Sequence, residues 1–138
     1  MRERLTTAAV SVLMVLGVGL AASEPPPDAL AKTMKDLGAA VTDVRAGVGA
    51  KDYAGLAKAA TTLQALLKTN GAFWQQRKSD DALAQNQIAV KAAADLLAAA
   101  KSKNDDGLLA AQKALTGSCG ACHTAHSERT PDGKYAIK

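Results

Sequence analysis

The 138-residue sequence predicts an all-α fold, an antiparallel four-helix bundle, on three observations. Apolar residues recur at alternating steps of three and four along four separate stretches, the period of a helix with one buried face. Short clusters rich in Asn, Asp, Gly and Ser separate those stretches, so each helix must turn back along its predecessor. No stretch alternates apolar and polar residues as a half-buried strand would. The composition agrees: apolar residues make up 48% of the chain but aromatics only 3%, and Ala supplies much of the rest. Such a chain is helix-prone and short of large core fillers.

Residues 1–22 read as an export signal. Arg2 and Arg4 form a basic start, Leu5 to Leu20 is uncharged and apolar, and Ala21, Ala22 and Ser23 are the small residues a signal peptidase accepts. An uncleaved segment would instead tether the domain to a membrane, since the run approaches a bilayer-spanning length. Cleavage places the mature protein outside the cytoplasm, in a bacterial periplasm. Residues 23–28 form a Pro-rich leader, with Pro25, Pro26 and Pro27 favouring an extended chain. Residues 29–138 are the helical domain.

Asp28 is placed to cap the first helix, whose stripe is Leu30, Met34, Leu37, Val41, Val44 and Val48, with Gly47 and Gly49 marking its end. Asp52 caps the second, which carries Tyr53, Leu56, Ala60, Leu63 and Leu67 and stops at Asn70-Gly71. The third runs from about Phe73 to Ser102 with Leu83, Val90, Ala94 and Leu97 inward; Asn86 and Gln87 interrupt its stripe, and Ser79-Asp80-Asp81 offers a fresh start. Asn104-Asp105-Asp106-Gly107 opens the fourth, with Leu108, Gln112, Leu115, Cys119, Cys122 and His126 on its seam. Pro131-Asp132-Gly133 reads as a turn.

The two cysteines of the chain stand in Cys119-Gly120-Ala121-Cys122-His123, the attachment order of a c-type haem. On a helix Cys119 and Cys122 lie about 60° apart and His123 about 40° from Cys119 on the other side, so all three face one ligand. Each thiol can form a thioether with a vinyl group while the imidazole reaches the iron. Haem attachment outside the cytoplasm agrees with the export signal at the other end of the chain. A macrocycle would also supply the apolar bulk that the side chains lack. Three other readings use the same residues. A Cys-X-X-Cys redox pair lacks a thioredoxin-like βαβ setting. A zinc site with His126 lacks a fourth ligand and spreads its donors along one helix. A disulfide would close a very small, strained loop.

With this motif at the end of a fourth amphipathic helix, the chain resembles the class II cytochromes c, the family of cytochrome c prime and its low-spin relatives. The resemblance covers most of residues 29–138. Met34-Lys35-Asp36-Leu37-Gly38 is similar to the family's first-helix segment, where the residue four before the Gly faces the distal side of the haem. The resemblance implies one haem c per chain in a cytochrome c prime-like bundle, with His123 as proximal iron ligand and Met34 as distal ligand, a periplasmic electron carrier rather than an enzyme. The family's other branch leaves the distal position unligated and binds NO or CO. No Met follows Cys122, and His126 follows His123 by only about 4.5 Å along the same helix, which leaves Met34 as the soft ligand beyond residues 1–22. The chain departs from the family after His123. Where an aromatic and an Arg are common it has His126 and Ser127, and Arg129 stands two residues further on as a partner for a haem propionate.

The formal charge is +4, and removal of residues 1–22 lowers it by one. Lysines scattered over helix faces, without stacking aromatics, exclude a nucleic-acid binder. The expected partner is a redox protein. Ala39, Ala40 and Ala46 would let a second copy approach the first helix, so a homodimer is one arrangement the sequence allows. Phe73-Trp74 supplies a ring that can pack on the haem or between helices.

Overall fold

The computed structural model describes residues 22–138, so the expected export segment, residues 1–22, lies outside the described residues except for Ala22. Four helices, α1 (Asp28–Ala50), α2 (Tyr53–Gln76), α3 (Asp80–Ser102) and α4 (Asp105–His126), are followed by two short strands, β1 (Ser127–Arg129) and β2 (Tyr135–Ile137). The connections Lys51-Asp52, Arg77-Lys78-Ser79 and Lys103-Asn104 leave no room for a crossover, and each helix packs along the next. The result is a four-helix bundle. Its loose seam is between α1 and α4, which touch far less than the sequential pairs do. No helix among the described residues is long and apolar enough to cross a membrane.

The helix starts follow the sequence closely. Asp52 accepts from the Gly55 backbone N–H at 2.9 Å, and Asn104 accepts from Gly107 at 3.0 Å. Asp28 is the first residue of α1 rather than its cap, a role taken without a side-chain bond by Pro27. The helix ends differ from expectation. The first helix passes Gly47 and Gly49, and Lys51 closes it in the left-handed conformation (φ 55°); Lys78 and Lys103 take the same conformation after α2 and α3. Gly47 is instead buried against Leu56, where a Cβ would come within 2.9 Å of Leu56 Cγ.

Asn70-Gly71 does not stop α2, which continues through Phe73 and Trp74. The reason is a buried polar chain. Asn70 Nδ2 donates to Asn86 Oδ1 at 2.8 Å, and Trp74 Nε1 donates to Asn70 Oδ1 at 3.1 Å. Asn70 therefore spends its amide inside the bundle instead of capping a helix end. The same chain turns α3 by one position, about 100°, from the expected face. Ala82, Asn86, Ala89, Ala93, Leu96 and Ala100 are buried, whereas Val90 is 38% exposed, Ala94 is exposed, and Leu83 and Leu97 are only half-buried. A partnered Asn is a better interior residue than an unpartnered one, and small alanines let α3 lie close to both neighbours.

On α1, α2 and α4 the expected stripes face inward. Leu37, Val44, Leu56, Leu63, Leu108 and Leu115 form much of the main core. A second cluster, Leu30, Trp74, Ala82 and Ile137, closes the end of the bundle where the leader and the tail meet. The turn at Pro131-Asp132-Gly133 is present, with Gly133 N–H donating to the Thr130 carbonyl at 2.8 Å and Gly133 at φ 80°. The strands it joins were not expected. Ser127, Glu128 and Arg129 pair antiparallel with Ile137, Ala136 and Tyr135, and on the other edge of β2 Ile137 exchanges backbone bonds with Glu24 at 2.9 and 2.7 Å. Of the three alanines singled out on α1, Ala40 is buried within the bundle and Ala39 and Ala46 are exposed.

Candidate functional site

The sequence-derived site residues gather along the α1–α4 seam. The hydrophobic stripe of α1 places Met34 one turn beyond Leu30, half-buried and packed on both the main core and the terminal cluster. Facing it, the last turns of α4 carry Cys119, half-buried against the main core, and Cys122, half-buried against the terminal cluster. His123 follows on the exposed flank, its ring centroid 6.0 Å from that of Tyr135.

Two cavities open beside these residues. The larger, about 600 Å³, is lined on the α1 side by Leu30, Ala31, Met34 and Lys35 and on the α4 side by Cys122, His123 and His126. Trp74 forms part of its wall, and the leader prolines Pro25 and Pro26 and the hairpin residues Lys134, Tyr135, Ala136 and Ile137 cover it. The smaller, about 170 Å³, reaches the other way between Met34, Leu37, Val41, Cys119 and the Asn70–Asn86 pair. Met34, Cys122 and His123 line both. A volume of this size with largely apolar walls and a few converging donors is the usual form of a cofactor site, ~300–1,000 Å³. A further concavity of about 500 Å³ lies between α1 and α2; its lining includes Asp36, Asp43 and Asp52 and none of the sequence-derived site residues.

Both thiols are free. Burial pushes each of them above its ordinary pKa, and for Cys122 the neighbouring Cys119 adds to the shift. Two protonated, half-buried thiols on successive turns are poor nucleophiles by themselves, because reactivity follows the thiolate. Among the described residues no three His, Cys, Asp or Glu side chains converge as a caged metal ion requires. The donors present, two thiols, an imidazole and a thioether, are the types a c-type haem would use. Cys119 and Cys122 offer the two sulfurs, His123 offers an imidazole beside them, and Met34 offers a thioether from the opposite wall of the same cavity.

The remaining candidates have other commitments. His126 Nε2 lies 2.9 Å from Asp81 Oδ2, and its ring is 5.0 Å from that of Trp74, so it ties the end of α4 to the start of α3. Asp81 is held below the usual carboxylate range, first by the Ser79 hydroxyl that donates to it and further by His126. Trp74 lines the cavity and packs between α2 and α4, its ring 5.0 Å from that of His126, while Phe73 beside it on α2 meets it edge-on at 5.0 Å. Arg129 lines neither cavity. Its guanidinium donates to the Gly133 carbonyl at 2.8 Å and to the Tyr135 hydroxyl at 3.0 Å while stacking over the Tyr135 ring.

Sequence reasoning missed Lys35, Lys134 and the cover formed by Ala136, Ile137 and the leader. The Pro131-Asp132-Gly133 turn was the available signal, since a turn of that type between two short segments is compatible with a hairpin. Comparisons with protein-family models, curated proteins and solved structures give no match, so the resemblance drawn from the sequence rests on the residues quoted for it.

Proposed function

We propose that the chain is an exported, periplasmic one-electron carrier of the class II cytochrome c type. It holds one haem c through Cys119 and Cys122, with His123 as proximal iron ligand and Met34 as distal ligand. The observation that carries this reading is that Met34 from α1 and Cys122-His123 from α4 line the same apolar cavity across the loosest seam of the bundle. Haem bound there would supply a one-electron iron couple. The chain's own residues supply the setting. Leu30, Trp74, Ala136 and Ile137 give the cavity an apolar wall, and such a wall would favour the less charged reduced state. Met34 and His123, which line the same cavity, would hold the iron through a thioether and an imidazole, a pairing that raises a reduction potential. His126, engaged by Asp81, is held away from ligation. The partner on this reading is another redox protein.

The test is a spectrum of the chain produced with a c-haem maturation system. Alkaline pyridine should give the signature of a haem bound by two thioethers, and the ferrous protein should be low-spin. Met34→Ala should turn it high-spin and lower its potential while leaving the haem attached. A high-spin parent protein that takes up CO readily would replace the carrier with the gas-binding form of the same site. Colourless protein with both thiols free after maturation would overturn both and favour a thiol protein.

A further inference from the structure

The larger cavity has mostly apolar walls, yet two of its lining residues are lysines, Lys35 on α1 and Lys134 in the hairpin turn, and none is an acid. Composition does not impose that imbalance. The chain carries 13 acidic residues against 17 basic ones, and the α1–α2 concavity collects Asp36, Asp43 and Asp52 with Lys58 as its one cation. Lys35 forms no ion pair among the described residues. Lys134 lies 3.1 Å from Asp132, but both side chains are mostly exposed, and such a pair is weak enough to exchange for a better-placed anion. Arg129, the other candidate cation, is not among the residues that line this cavity.

Each ammonium is exposed and worth little by itself, but two on the rim of one apolar cavity act on the same occupant. A cavity with such groups and no carboxylate suits an occupant with an apolar body and acid groups at one edge. We propose that Lys35 and Lys134 form the carboxylate-binding rim of this cavity and hold the two acid groups of its occupant between α1 and the hairpin. The inference rests on the haem reading to the extent that haem is such a molecule, an apolar ring with two propionates. It gives the hairpin a role: a clasp that brings a second cation to a cavity whose first cation comes from α1.

The test compares the parent with the double variant Lys35→Gln/Lys134→Gln. Both residues are exposed, so the fold should persist. In the matured protein covalent haem content should be unchanged, and the reduction potential is followed between about pH 4 and pH 8. Paired propionates stay ionised across that window, whereas unpaired ones titrate within it. His126, with Asp81 behind it, and Tyr135 also face the occupant but are common to both proteins, so the variant should show a steeper fall in potential with rising pH than the parent. Superimposable profiles would overturn the rim. Should the parent take up no haem, the cofactor reading fails, and the rim is tested on the unmatured full chain by quenching of Trp74, the single Trp. The probes are protoporphyrin IX and its dimethyl ester. The diacid should bind roughly tenfold tighter than the ester in the parent, about threefold per charged contact, and the difference should vanish in the variant. Equal affinity in the parent would overturn the proposal.

Discussion

Asn86 illustrates how one side chain can redirect a helix. Its carboxamide is 9% exposed and accepts from Asn70, which in turn accepts from Trp74. Unpaired, it would cost on the order of 1–3 kcal/mol to bury, which is why an Asn in an apolar stripe ordinarily argues for an exposed face. Asn86→Ala removes the acceptor and leaves the Asn70 amide without its partner. Thermal or urea unfolding should show a loss of about 2 kcal/mol, with Trp74 emission altered because its own acceptor has moved. An unchanged midpoint would mean that the Asn chain has no part in fixing α3. The left-handed lysines are a second single-residue device. At Lys51, Lys78 and Lys103 a residue other than Gly closes a helix, so glycine position misled the reading of where α1 and α2 end.

At the scale of elements, the glycines of the helices divide by surroundings. Gly117, in the exposed middle of α4, has no atom within 4 Å of where a Cβ would stand, while at Gly47 a Cβ would crowd the fully buried Leu56. Gly117→Ala should add about 0.5–1 kcal/mol to the unfolding free energy through helix propensity. Gly47→Ala should lose about 1 kcal/mol, because overpacking exceeds the same gain. Denaturant midpoints that shift in the same direction for both would refute the distinction.

A different contact joins three helices at the far end of the bundle. Asp105, in the first turn of α4, accepts from the Lys51 ammonium after α1 and, at 2.8 Å, from the Tyr53 hydroxyl at the start of α2. The Lys51 bond, then the Tyr53 bond, hold the Asp105 carboxyl below its usual 3.8. A carboxyl depressed on folding stabilises the fold above its unfolded pKa, and that contribution is lost as pH falls through the depressed value. Asp105→Asn should therefore be less stable than the parent at neutral pH, with the gap closing on acidification below about pH 4. A gap that stays constant to pH 2 in thermal melts would show that charge is not its source.

For the whole molecule, the decisive arrangement is a bundle closed on three sides and covered on the fourth by its own ends. Glu24 pairs with Ile137, and the Arg77 guanidinium donates to the Glu24 carboxylate, so α2 also anchors the leader. Ile137, 5% exposed, packs with Leu30, Trp74 and Ala82. Ile137→Ala should cost about 2 kcal/mol and unseat this cover. In the unmatured chain acrylamide should then quench Trp74 more strongly than in the parent. Unchanged quenching would mean that the strand does not shield the cavity.

The periodicity of Leu30 through Val48, of Tyr53 through Leu67 and of Leu108 through His126 was sufficient to place α1, α2 and α4 with the right faces inward. Those positions follow a repeat that one helix imposes locally. The Cys119-to-His123 spacing likewise set three donors on one side of α4 before any packing was known. The face of α3 was not legible, since it depends on an amide on another helix. Nor was the cover, since three-residue strands carry no usable pattern and the bridge that ties the leader to them joins residues more than a hundred positions apart, Glu24 and Ile137. The sequence by itself determined that four helices form and that Cys119, Cys122 and His123 share one end of the last, because both are written at spacings of three and four residues. Tertiary structure alone decided that Met34 shares a cavity with Cys122 and His123, and that two lysines from distant elements stand beside it, because cavities and their charge are properties of surfaces brought together by packing.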